Sequence, residues 1–96
     1  MKISYNAIFE YADDGINITF PDIPEAITCA YSKNEAIKMA KEALELTLHK
    51  RLLNHLPTST PKNKILKVHN SEVVEIIIEM NVKNAMLIGN DIIEYN

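Results

Sequence analysis

Alternation opens the chain. Ile3, Tyr5, Ala7, Phe9 and Tyr11 recur at every second position, with Lys2, Ser4, Asn6 and Glu10 between them and Ile8 the exception. A period of two predicts a strand with one buried face. Asp13-Asp14-Gly15 follows. Asp-Gly is a hairpin signal, because glycine takes the positive φ that a tight turn demands. Ile16, Ile18 and Phe20 then alternate with Asn17 and Thr19, predicting a second strand. Pro21-Asp22-Ile23-Pro24 ends it: two prolines withhold two N–H donors and fix two φ angles. Ile27, Cys29 and Tyr31 share one side of a third short strand. The expected arrangement is a three-stranded antiparallel meander.

The period then changes. Ser32 with Glu35 three residues on fits a capping box. Ile37, Ala40, Ala43, Leu44, Thr47, Leu48 and Leu52 mark one face at helical spacing. The wet face carries Lys38, Lys41, Glu42, Glu45 and Lys50, and the helix is predicted to run to about Leu53. Its small residues allow it to sit close to a sheet, and His49, Lys50 and Arg51 suit the negative end of its dipole. Residues 57–64 are rich in breakers and form a loop. Ile65 to His69 reads as a short strand or turn. The apolar run Val73 to Ile78 predicts an inner strand, which a right-handed crossover can lay parallel to the first. Residues 81–96 are expected to be a tail. Ala85–Ile88, Gly89-Asn90-Asp91 and Ile92–Tyr95 fit a hairpin or a short helix, docked on this domain or on a second copy.

Composition narrows the classes. At 96 residues and 47% apolar side chains the chain supports one domain with one core. A single cysteine permits no intrachain disulfide. No apolar run approaches the ~20 residues of a membrane span, and Met1 to Tyr5 lack a signal-peptide core, so a cytoplasmic protein is expected. The net charge of −3 excludes a nucleic-acid binder driven by bulk charge. It also hides an asymmetry. Residues 1–30 hold one basic and five acidic groups, 31–69 eight and three, 70–96 one and five. Acidic parts flanking a basic middle can present an acidic face to a basic partner; ordinary solvated charge is the simpler account.

Candidate chemistry is sparse. Glu10, Asp13, Asp14 and Asp22 can be read as carboxylates for Mg²⁺ or acid–base work, as in metal-dependent nucleases. Asp13, Asp14 and Asp22 are equally turn residues that bond their own backbone. His49 and His55 stand six apart, which does not put them on one helix face, and no Cys-x-x-Cys spacing exists. Gly15 and Gly89 are the only glycines, too few for a phosphate-binding loop. Lys62, Lys64, Lys67 and His69 form a small basic cluster in a solvated loop. Tyr5, Phe9, Phe20 and Tyr31 mimic an RNA-stacking surface, but their phase assigns them to the core, and Cys29 with them. No catalytic residue, metal or cofactor is expected.

The segment from Tyr5 to Leu48 resembles the HicB antitoxin family. The residues that carry this are Tyr5-Asn6-Ala7-Ile8-Phe9, Asp14-Gly15-Ile16, Phe20-Pro21-Asp22-Ile23-Pro24, Thr28, Ser32, Glu35-Ala36 and Ala40-Lys41-Glu42-Ala43-Leu44. The resemblance implies an α+β fold: a small βββαβ domain over residues 1–80, a mixed sheet with one long helix on one face. That is a truncated ribonuclease-H-like topology without the catalytic carboxylates. It also implies a non-enzymatic antitoxin that covers the active site of HicA, a small basic toxin that cleaves messenger RNA through a histidine. Glu25-Ala26 and Ala30-Tyr31 depart from the family's usual Gly-Cys and Gly-Asp. Many members add a C-terminal segment that binds operator DNA. Sixteen residues follow Met80, fewer than a helix-turn-helix needs, so operator binding is not carried over.

The expected partner is therefore a HicA-like toxin, with homo-oligomerisation through the apolar tail or open sheet edges. Glu10, Asp13, Asp14, Asp22 and Glu25 are the expected acidic contacts, with Phe20, Pro21 and Pro24 shaping the loop between them. The alternative is an orphan protein-binding module or oligomeric scaffold without a toxin. A short basic gene next door discriminates the two.

Overall fold

The computed structural model describes residues 1–90. Its strands are β1 (Lys2–Ala12), β2 (Gly15–Thr19), β3 (Ile27–Ala30), β4 (Ser71–Lys83) and β5 (Met86–Gly89); helix α1 (Lys33–Leu48) follows β3. The strands form one sheet in the order β3-β2-β1-β4-β5. Ile3, Tyr5, Ala7 and Phe9 of β1, Ile16 and Ile18 of β2 and Ile76, Ile78 and Met80 of β4 are all buried. Ala36, Ala40, Leu44 and Leu48 of α1 join them in one core. Burying a leucine contributes roughly 1.5–3 kcal/mol, more than any single helix propensity, so this stripe holds α1 in place.

The mixed sheet with a parallel fourth strand is corrected. Glu10 lies opposite Ser71 and Lys2 opposite Glu79, so β4 runs antiparallel to β1. All the other pairings are antiparallel too. The reason lies in residues 49–70. A short connection would start β4 at the end of the sheet where α1 finishes. This connection instead travels back along the sheet first, so the ribonuclease-H-like crossover does not form. Three contacts hold it on the way. The Tyr5 hydroxyl donates to the Pro57 carbonyl at 2.6 Å, Asn6 Nδ2 donates to the Thr60 carbonyl at 3.0 Å, and Thr60 donates to Asp22.

Helix α1 begins at the expected Ser32 cap, with the returning Glu35 bond made to Tyr31, one residue before the cap. The Glu35 N–H donates to Ser32 Oγ at 3.2 Å, and the Tyr31 N–H donates to Glu35 Oε1 at 3.1 Å. It stops at Leu48, short of the expected Leu53. Lys50 takes a left-handed φ of 68°, and the chain leaves the helix to lie beside β5. The Lys50 N–H donates to Leu87 O at 2.7 Å, the Leu87 N–H to Arg51 O at 2.9 Å and the Leu53 N–H to Ala85 O at 2.8 Å. The Gly89 N–H donates to His49 Nδ1 at 3.0 Å. Strand β5 is thus clamped between β4 and the end of the helix, with Leu87 fully buried. Met86, Leu87 and Ile88 dock on their own domain. The hairpin between β4 and β5 turns at Asn84-Ala85, both at positive φ; the expected turn at Gly89-Asn90-Asp91 runs beyond the described residues. A strand over Ile92–Tyr95 lies outside the described residues.

The third strand also faces the other way. Ile27, Cys29 and Tyr31 are exposed, while Ala26 and Ala30 are buried. Ala26, just before β3, and Thr28 and Ala30 within it form its inward side, and Ala36 and Ala40 of α1 are buried in the same core.

Candidate functional site

The expected acidic residues divide into two places. Asp13 and Asp14 sit exposed in the turn between β1 and β2, and Glu10 is exposed on β1 just before it. Asp22 and Glu25 lie in the loop at the far end of β2. The structure does not bring the five together.

The far loop is occupied with internal work. Asp22 is half-buried; its carboxylate accepts from the Thr60 N–H at 2.7 Å and from Thr60 Oγ1 at 2.6 Å. Phe20 and Ile23 are buried beneath it. The Ile23 N–H donates to Phe20 O at 3.1 Å and the Ala26 N–H to Ile23 O at 3.0 Å, so two successive turns place Pro21 and Pro24 on the outside. Glu25 is paired with Arg51 at 2.6 Å. Its own backbone N–H, and then the Arg51 guanidinium, hold its carboxyl below the usual carboxylate range. Burial, with the Asp22 charge adding to it, pushes the Tyr5 hydroxyl up. These groups fasten residues 50–60 to the sheet.

The near end is open. Cross-strand register puts Glu10 opposite Asn17, and Asn17 opposite Cys29, on the face turned away from α1. Ile8, Thr19 and Ile27 form the next row on that face. Tyr31, 86% exposed, follows β3 and borders a cleft of about 400 Å³ with Asp13, Asp14 and Lys33. Gly15 ties the turn to this strand. Its φ is +149°, and a Cβ there would stand 2.8 Å from the Ala30 carbonyl oxygen. Only glycine lets the acidic turn approach the end of β3 so closely.

On the helix side of the same end, the Tyr11 hydroxyl donates to Glu72, and Lys33 pairs with Glu72 at 3.0 Å. The Tyr11 bond, then Lys33, holds the Glu72 carboxyl below its usual range. The same bond pushes the Tyr11 phenol up to about 12. Neither Tyr11 nor Glu72 figured among the candidates: they lie 61 residues apart, and only the β1–β4 register joins them. Cys29 and Tyr31, expected in the core, are instead the exposed part of this face. Tyr5, Phe9 and Phe20 are in the core.

Among the described residues no group of three or more His, Cys, Asp or Glu can hold a metal ion. No helix among them is long and apolar enough to cross a membrane.

Known proteins share this fold and part of this sequence. The family described as HicB-like antitoxin of bacterial toxin–antitoxin systems matches residues 4–85. The protein named antitoxin HicB 2 from Photorhabdus laumondii subsp. laumondii is 42% identical over 43 residues, 45% of this chain. The match spans 31% of that relative's length. A chain of a toxin–antitoxin complex from Streptococcus pneumoniae superposes with a TM-score of 0.71 at 21% identity, over 82% of this chain and 70% of that one. At that identity the likeness is one of fold.

Proposed function

Because the chain belongs to the family of HicB-like antitoxins of bacterial toxin–antitoxin systems, we propose that it binds a HicA-type ribonuclease and occludes its active site. The carrying observation is the extent of the family match, which runs from within β1 to the β4–β5 turn and so takes in the sheet and the helix. The protein acts by steric cover and breaks no bond itself. Residues 1–80 supply the binding domain, and residues 81–96 complete or extend it.

Chemistry supports an acidic cover. An enzyme that cleaves RNA must hold a phosphate backbone, which demands a lysine- or arginine-rich surface. A rigid display of carboxylates competes for that surface. Glu10, Asp13 and Asp14 are free to serve in this way. Asp22 and Glu25 contribute by fixing the loop and the connection 50–60 rather than by touching the partner. Operator DNA is no part of this reading.

The test is a titration. Purified chain is added to the toxin encoded beside it, and cleavage of a messenger RNA is followed. Inhibition reaching completion at a fixed stoichiometric ratio is expected. Full cleavage at saturating amounts of chain overturns the reading and favours the orphan module.

A further inference from the structure

The sheet has two edges, and they are defended differently. Among the described residues β4 is unpaired on its outer side beyond Met80–Lys83, where β5 pairs with it. That edge borders a groove of about 450 Å³ lined by Lys38, Lys41, Glu42, Ile77 and Glu79 among others. Charges of both signs along an open strand are the usual protection against edge-to-edge pairing. The opposite edge is β3, which has β2 on one side only. It carries no charge: its residues are Ile-Thr-Cys-Ala. Ile27 is 68% exposed and Tyr31, immediately after it, 86%. An unprotected edge with exposed apolar side chains marks either an aggregation hazard or a docking strand.

We propose that this edge receives an extended, basic segment of the ribonuclease as a sixth strand, with Ile27, Cys29 and Tyr31 as the apolar side chains beside it and Asp13 and Asp14 as the acidic group at its end. The proposal rests on the antitoxin reading and names the surface that performs it. Backbone N–H and C=O groups of β3 would supply main-chain bonds, and alternate side chains would supply selectivity. Tyrosine is an efficient anchor for such a site, since it brings a large contact area with few rotatable bonds. Charge selects the occupant. Gly15 holds the exposed Asp13-Asp14 turn against the end of β3, so a segment carrying lysine or arginine meets complementary charge there.

The chain's single cysteine lies on this strand and reports on it directly. In the free full-length chain, Cys29 should react with a thiol reagent as an exposed thiol does. In the presence of saturating toxin the reaction should slow about tenfold or more, as access is lost. Hydrogen exchange should show protection of Ile27–Ala30 on binding, with Glu72–Ile78 of β4 unchanged. Tyr31→Ala should weaken binding about 30-fold, the size expected of an anchor residue. Ile27→Lys should weaken it comparably by charging the edge. Both side chains are exposed, so both variants should melt like the parent. Ile77→Lys, at the other edge, should bind normally. If the complex forms while Cys29 stays reactive and both β3 variants bind like the parent, this surface is refuted and the antitoxin reading stands. Absence of both complex and inhibition refutes both. Protection of β3 that grows with the chain's own concentration, without toxin, assigns the edge to a second copy and refutes the proposal.

Discussion

Two side-chain clusters hold the ends of the sheet, and each has a measurable signature. At one end Glu72 accepts from Tyr11 and pairs with Lys33. The folded pKa of Glu72 is below its ordinary 4.5. Its contribution to stability is therefore present above the unfolded value and lost as pH falls through the lower folded one. The folded pKa of Tyr11 is raised from 10.0 to about 12. Its contribution is present below pH 10 and lost as pH rises from there through about 12. Glu72→Gln should bring the Tyr11 phenol back toward ~10, read as ionisation at 295 nm against the parent. An unmoved titration would show that the contact does not persist in solution. At the other end Asp22 holds Thr60. Asp22→Ala strands a backbone N–H and a hydroxyl in a half-buried site, at a cost of roughly 1–3 kcal/mol. Urea denaturation should show that loss, with Asp22→Asn losing less because one acceptor remains.

Turns and strand faces decide how the elements assemble. Asn84 and Ala85 have φ of 53° and 60°, the pattern of a type I′ hairpin that favours Asn-Gly. Alanine is strained there, so Ala85→Gly should stabilise by about 1 kcal/mol, net of glycine's greater unfolded entropy. Gly15→Ala should do the reverse by about 2 kcal/mol or more, through positive φ and the Ala30 oxygen. Thermal denaturation of the pair checks both signs. Much at this scale was legible in the sequence. Period-two alternation identified β1, β2 and their buried faces, and Ser32 with Glu35 marked the start of α1. The rest depended on distant partners. The helix was read five residues too long because Leu52 keeps the apolar period. In the structure Leu52 instead bridges to Met86 beside β5. Alternation of the larger apolar side chains points the wrong face of β3 inward, whereas the residues buried there are Ala26 and Ala30. The direction of β4 depends on the path of residues 49–70. That path is set by Tyr5, Asn6 and Asp22, none of which is local to it.

At the scale of the molecule, the acidic groups of residues 1–30 divide between the two ends of β2, Glu10, Asp13 and Asp14 at one and Asp22 and Glu25 at the other. The sequence located Glu10, Asp13 and Asp14 on one exposed end through alternation and turn chemistry. It could not show that Asp22 and Glu25 are engaged within the chain, since their partners Thr60 and Arg51 lie 38 and 26 residues away. What remains is an apolar strip with charge on its rim, and the two parts should act on different steps of binding. Rim carboxylates are solvated, so they steer approach more than they hold the complex. Raising salt from ~0.1 M to ~1 M shortens the Debye length from ~10 Å to ~3 Å. The association rate with the toxin should fall about tenfold or more over that range, with dissociation changing by about twofold or less. Replacing Asp13 and Asp14 together by asparagine should remove most of that salt dependence while leaving dissociation near the parent value. Tyr31→Ala should do the opposite, speeding dissociation with little change in association. Stopped-flow or surface-binding kinetics at several ionic strengths separates the two. Dissociation that climbs with salt as steeply as association falls would place the carboxylates at the buried centre of the interface. The apolar strip would then be its margin.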